Sequence, residues 1–113
     1  MATIDTYRKL VKDVLRSYAK GGYANADITN EVVFDAENDR YLVVSVGWGI
    51  RPKGRIHGCL LHVDIIDGKV WVQRDGTEEG ITDELEEAGI PKADIVLGFH
   101  EPQVRKYTGY AAA

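Results

Sequence analysis

His57, Cys59 and His62 are side chains of the types that bind a metal ion, and they fall within a short stretch of one chain segment. A little further on, Asp67-Gly68-Lys69 repeats the acid-any-lysine fragment that some metal-dependent nucleases carry on a core strand. A zinc sphere needs its ligands converging on one point. On a strand, His57 and Cys59 would share a face while His62 points the other way, and Cα atoms five residues apart lie ~16 Å from each other. The trio is therefore not expected to close one sphere, and Cys59 reads as a small buried hydrophobe. His100 stands alone in the C-terminal segment. The acids Glu78, Glu79, Asp83, Glu84, Glu86 and Glu87 could serve metal or glycoside chemistry. The first two, however, fall in the expected first turn of a helix, where they complement the macrodipole, and the others form a solvated face. The same two glutamates would repel a phosphate approaching that helix end. Ser17 and Ser45 have no activating neighbours in sequence. No catalytic residue, metal or cofactor is expected.

Two groups remain as binding candidates. Arg51, Lys53 and Arg55 concentrate positive charge in the stretch RPKGR, which suits a phosphate backbone or an acidic partner. The second group is His62, Asp64, Trp71, Gln73 and Asp75, which the strand pattern places together on one polar face around a large aromatic. Such a composition is that of an interface hot spot. The alternative is that a helix or the C-terminal tail of the same chain covers Trp71.

Periodicity predicts the helices and strands that carry these groups. Ile4, Tyr7, Leu10, Val11, Val14, Leu15 and Tyr18 lie on one side of a helical wheel, predicting an amphipathic helix ended by Gly21-Gly22. A polar connection, ANADITN, leads to EVVFD and YLVVSVGW, two strands of a hairpin around AENDR. In the second strand Leu42, Val44, Val46 and Trp48 are expected on the core side, with Tyr41, Val43 and Ser45 opposite. After a loop at RPKG, a strand from about Arg55 to Ile66 turns at Asp67-Gly68 into a strand from Lys69 to Asp75. Asp-Gly between alternating runs signals a two-residue type I′ turn, since both residues tolerate positive φ. That turn sets Ile66 opposite Lys69, Ile65 opposite Val70, Asp64 opposite Trp71, Val63 opposite Val72 and His62 opposite Gln73. Cys59, Leu61, Val63, Ile65, Val70 and Val72 then form one apolar face. Thr77 is the expected N-cap of a second helix reaching Ala88, with Gly89 after it, and IVLGF a short final strand. The expected fold is α+β: a single domain over residues 1–113, an antiparallel sheet, an N-terminal helix and a helix after the central hairpin.

Composition is consistent with this. The 113 residues are 44% hydrophobic and 28% charged, ordinary for a globular domain, and carry a net charge of −4. That sign argues against a protein that coats DNA. A lone cysteine and a charge-interrupted N-terminal segment fit the cytoplasm, and no apolar run approaches the ~20 residues of a membrane span.

The strings DGKVWVQRDGTEEG, AGIPKADIVLGFH and VRKYTGY, with YRKLVKDVL, VVFDAENDRY and VGW upstream, resemble the XisI family, the fdxN element excision controlling factors found chiefly in cyanobacteria. The resemblance runs over essentially the whole chain. It implies a small α+β fold and an accessory role in programmed excision of a DNA element, in which a separate site-specific recombinase cuts and rejoins. It also implies an XisH-like protein as partner; on the polar face around Trp71 the alternative occupant is a second copy of the chain, as a homo-oligomer. No catalytic residues travel with it. On this basis the chain is expected to be a non-catalytic factor acting through a protein partner at His62, Asp64, Trp71, Gln73 and Asp75, with DNA contact indirect or weak. The alternative is a small DNA-binding regulator using Arg51, Lys53 and Arg55.

Overall fold

The computed structural model describes residues 4–19 and 26–113. Helix α1 (Ile4–Tyr18) buries Tyr7, Val11 and Leu15, the middle of the expected stripe, while the Gly21-Gly22 stop lies outside the described residues. Strands β1 (Ala26–Asp35), β2 (Arg40–Ile50), β3 (Lys53–Ile66) and β4 (Lys69–Asp75) run antiparallel in sequence order. Helix α2 (Thr82–Ala88) and a single 3-10 turn at Lys92–Asp94 lead to β5 (Ile95–Leu97), and a short helix α3 (Pro102–Arg105) lies in the tail. Because α2 sits between β4 and β5, their connection is a crossover, and β5 joins the edge parallel to β4. The sheet is therefore mixed, not wholly antiparallel as expected.

The strands are longer than their apolar runs. β1 takes in Ala26–Asn30, although the polar composition of ADITN suggests a connection. RPKG contracts to a turn at Arg51-Pro52, with Lys53 and Gly54 already paired to Ile50 and Gly49. Polar residues are compatible with both places because, among the described residues, no helix lies over one face of β1 and β2. α1 and α2 cover the other face, where Tyr41, Val43, Leu61, Val63, Ile65, Val70, Val72, Ile81, Leu85, Ile90 and Ile95 form the core. The expected sidedness of β2 is thus reversed. Tyr41 and Val43 are fully buried, whereas Leu42, Val44 and Val46 are half-exposed and Trp48 is 55% exposed. The helix-covered face can hold polar groups because each finds a partner. The Tyr41 hydroxyl donates to Asp39, Ser45 to the Asn30 side chain, and Asn30 to the carbonyl of Tyr18.

The Asp67-Gly68 turn forms as expected, with φ of 50° and 77°. Four of the five derived pairs agree with it, from Ile66–Lys69 to Val63–Val72. The fifth fails, because an irregularity after Val72 pairs His62 with Arg74 and Leu61 with Asp75. A second irregularity lies between β2 and β3, where Val43 pairs with Leu61 but Val44 with Cys59. Each extra residue moves the rest of its strand to the opposite face. Cys59 accordingly leaves the core face for the open one, while Leu60, the residue passed over, packs against the core.

Candidate functional site

Asp75 shows what the register change does. Opposite Leu61 it lies on the helix-covered side, away from the face it was expected to share with Trp71 and Gln73. There its carboxylate organises the entry to α2. One oxygen accepts from the Thr77 backbone N–H at 3.0 Å and the Thr77 hydroxyl at 2.5 Å, the other from the Ile81 N–H at 2.7 Å. The helix consequently begins at Thr82 instead of after Thr77, and Glu78 and Glu79 lie in the loop before it, not in its first turn.

The rest of the expected polar face does assemble. His62 Nε2 is 2.8 Å from Asp64 Oδ1, and the Gln73 side-chain amide donates to Asp64 Oδ2 at 3.4 Å. Asp64, only 8% exposed, also has the Arg40 guanidinium 4.0 Å away. Trp71 stands opposite Asp64 and is half-buried. What covers it is the tail of the same chain. The Arg105 guanidinium carbon lies 5.0 Å from the indole centroid, and Arg105 Nε donates to the His100 carbonyl at 3.0 Å. Gly98 makes the close approach possible: a Cβ there would come within 2.5 Å of Gln73 Oε1 and 3.2 Å of Trp71 Cε3. The tail then returns to the sheet edge, where the Ala111 N–H reaches the Ile95 carbonyl at 2.8 Å and the Tyr110 hydroxyl donates to Glu86 at 2.9 Å.

Closing over Trp71, the tail turns its own apolar groups outward. Phe99 is 49% exposed, Val104 41% and Tyr107 78%. These residues were missed in the sequence. The signal for them was faint: a short aromatic-containing segment after the last strand, with an arginine able to span back to an indole.

Arg51, Lys53 and Arg55 occupy the far end of the β2–β3 hairpin, all exposed, around a hollow of about 220 Å³. No acid interrupts the stretch from Gly47 to Gly58. Arg55 stacks on Trp48, its guanidinium carbon 5.2 Å from the ring centroid. His57, Cys59 and His62 do come to one face, contrary to the simple alternation, because the irregularity at Leu60 restores their sidedness. No group of three or more His, Cys, Asp or Glu among the described residues is placed to hold a metal ion. Burial pushes the Cys59 thiol pKa up, away from the thiolate form a reactive cysteine needs. Asp67 is at the hairpin tip, exposed beside Gly68. Among the described residues no helix is long and apolar enough to cross a membrane.

The family described as XisI protein matches residues 1–112. A search of curated proteins finds no match. Among solved structures, a XisI-like protein from Anabaena variabilis ATCC 29413 is 37% identical, with a TM-score of 0.86 over 98% of this chain and 100% of its own. An fdxN element excision controlling factor XisI from the same organism is 32% identical, with a TM-score of 0.78 over 97% of this chain and 98% of its own.

Proposed function

The chain belongs to the XisI family, and from that premise we propose that it is a non-catalytic accessory factor in the control of DNA element excision, acting in the cytoplasm by binding an XisH-like protein. The membership supports the role in excision control. The mode of action rests on one observation, the tail that closes over Trp71 and turns Phe99, Val104 and Tyr107 to solvent. Large apolar side chains grouped with polar neighbours favour a protein partner. Trp71 and Asp64 then act as the floor that positions the tail, and the contact itself is made by the tail and the exposed parts of His62 and Gln73.

Titration of an XisH-like protein against the purified chain tests this. Tyr107→Ala and Phe99→Ala should each weaken association, the stronger by about 2 kcal/mol, with an unchanged melting temperature. Unaltered affinity in both variants would remove the tail from the interface. Direct contact with DNA is a second, weaker part of the proposal, supported by the three exposed cations at the hairpin end. Catalysis is tested separately by incubation with plasmid and magnesium or manganese. No cleavage is expected, and cleavage abolished by Asp67→Asn would overturn the non-catalytic assignment.

A further inference from the structure

The face of β1–β3 that no helix covers among the described residues is ordered in rows. Strand pairing sets Asp27, Trp48 and Arg55 side by side, then Thr29, Val46 and His57, then Glu31, Val44 and Cys59, then Val33, Leu42 and His62. Read across the sheet, one margin is acidic, with Asp27 and Glu31 on β1. The middle strip on β2 is apolar, and the other margin, with Arg55 and His57 on β3, is basic. The face is accessible: Trp48 on β2 is 55% and Val33 on β1 48% exposed. Among the described residues Asp27 and Glu31 make no ion pair, and Arg55 has no acidic partner, resting instead on Trp48.

Over these four rows the pattern is complementary to itself, whereas the next row, Asp35, Arg40 and Asp64, would set like charges together and lies outside the contact. Turn a copy by half a revolution about an axis laid along β2, between two stacked sheets, and each row keeps its height while β1 of one copy comes to lie over β3 of the other. Asp27 of each copy then meets Arg55 of its mate, twice by symmetry. Glu31 meets Cys59 with His57 one row away, and the strip Leu42, Val44, Val46 and Trp48 packs on its own counterpart. An isologous contact requires this self-matching, and aligned sheets stack about 10 Å apart, within reach of an arginine paired with an aspartate. We infer that the open face of β1–β3 is the interface of a homodimer, in which two sheets stack about a two-fold axis along β2. A different protein would need a complementary arrangement of its own, whereas the charge order across these rows already supplies one.

The face meets the tail surface around Trp71 only at His62, in its last row, so substitutions at Asp27, Trp48 and Arg55 leave the tail surface untouched and the two assignments can fail independently. The first measurement is sedimentation equilibrium of the native chain, which should show a dimer at concentrations of about 10 µM and above. Trp48→Glu should give a monomer. Asp27→Arg and Arg55→Asp should each weaken the dimer at least about tenfold, since each variant sets like charges together at both margins of the interface. Mixing those two variants should restore association, as a heterodimer, because every introduced charge then faces its opposite. Circular dichroism and melting of the two charge variants, both altered at exposed positions, check that they are folded. A native chain that stays monomeric over the whole range overturns the inference, as does a dimer indifferent to all three substitutions, or a mixture no more associated than its components. Titration of an XisH-like protein against the Trp48→Glu monomer reports on the tail surface alone, so loss there counts against the partner proposal and not against the dimer.

Discussion

Among single residues, two aspartates, Asp39 and the binding candidate Asp75, tie helices to the sheet. Asp39 sits in the β1–β2 turn with φ of 51°, and Arg8 of α1 donates to both of its oxygens, at 2.7 and 3.0 Å. That guanidinium, helped by the Tyr41 hydroxyl and opposed by partial burial, holds the Asp39 carboxyl below its ordinary range. A depressed folded-state pKa means that the unfolded chain binds the proton first as acid is added. The pair's contribution is therefore present above about pH 4 and lost as pH falls through the folded value. Asp39→Asn, which tolerates the same backbone, should lower the melting temperature at neutral pH, with the difference from the native chain shrinking in acid. An unchanged difference at low pH would show that the charge is not what matters. Asp75 lies on the helix-covered side and organises the entry to α2. Its loss leaves the Ile81 N–H and the Thr77 groups without their acceptor, so Asp75→Ala should remove about 1–3 kcal/mol in denaturant titration. Weakened partner affinity with full stability would instead return Asp75 to an interface.

Among the helices and strands, the legible parts of the sequence were those where one local rule dominates. The spacing from Ile4 to Tyr18 specifies α1, and Asp67-Gly68 specifies the β3–β4 turn with four correct pairs. The readings that failed needed two elements to agree. The irregularities at Leu60 and after Val72 have no strong residue signature, yet they moved Cys59 and Asp75 to the other face. β2 is apolar on both faces, so its pattern could not say which side α1 and α2 would cover; only the polar pairs Tyr41–Asp39 and Ser45–Asn30 reveal it. Of the candidate polar face, His62, Asp64, Trp71 and Gln73 were correctly grouped, but the tail over them depends on Arg105 and Gly98 meeting Trp71. Trp71→Ala should accordingly destabilise the chain by about 2–4 kcal/mol, as a half-buried large aromatic with packing on both sides. Arg105→Ala should cost less overall but speed hydrogen exchange in the tail amides ahead of the core strands, since the tail then opens locally. Equal exchange in both regions would show that the tail does not open as a separate unit.

The molecule measures 45 × 29 × 24 Å, and the β2–β3 hairpin turns at Arg51-Pro52. Its end carries Arg51, Lys53 and Arg55, so the acidic surplus of the −4 chain lies elsewhere. A single copy therefore meets duplex DNA with few cations and an unfavourable overall field, and binding should be weak. Its logarithmic dependence on salt should have a slope no steeper than about −3, from three phosphate contacts. The two-fold axis along β2 changes this count. Rotation about an axis parallel to the strands preserves their direction, so both hairpin ends project from the same end of the dimer, side by side. Arg55 is partly engaged with the mate's Asp27 in that arrangement, leaving Arg51 and Lys53 of each copy free for phosphate. The slope for the dimer should then approach about −4, with tighter binding than the Trp48→Glu monomer, although the variant keeps every basic residue of the hairpin end. Fluorescence anisotropy of a labelled duplex across a salt series compares the two directly. Equal affinity and slope in monomer and dimer would mean that the two ends do not act together on one duplex, and substitution of Arg51 and Lys53 by alanine without effect would remove the hairpin end from DNA contact altogether.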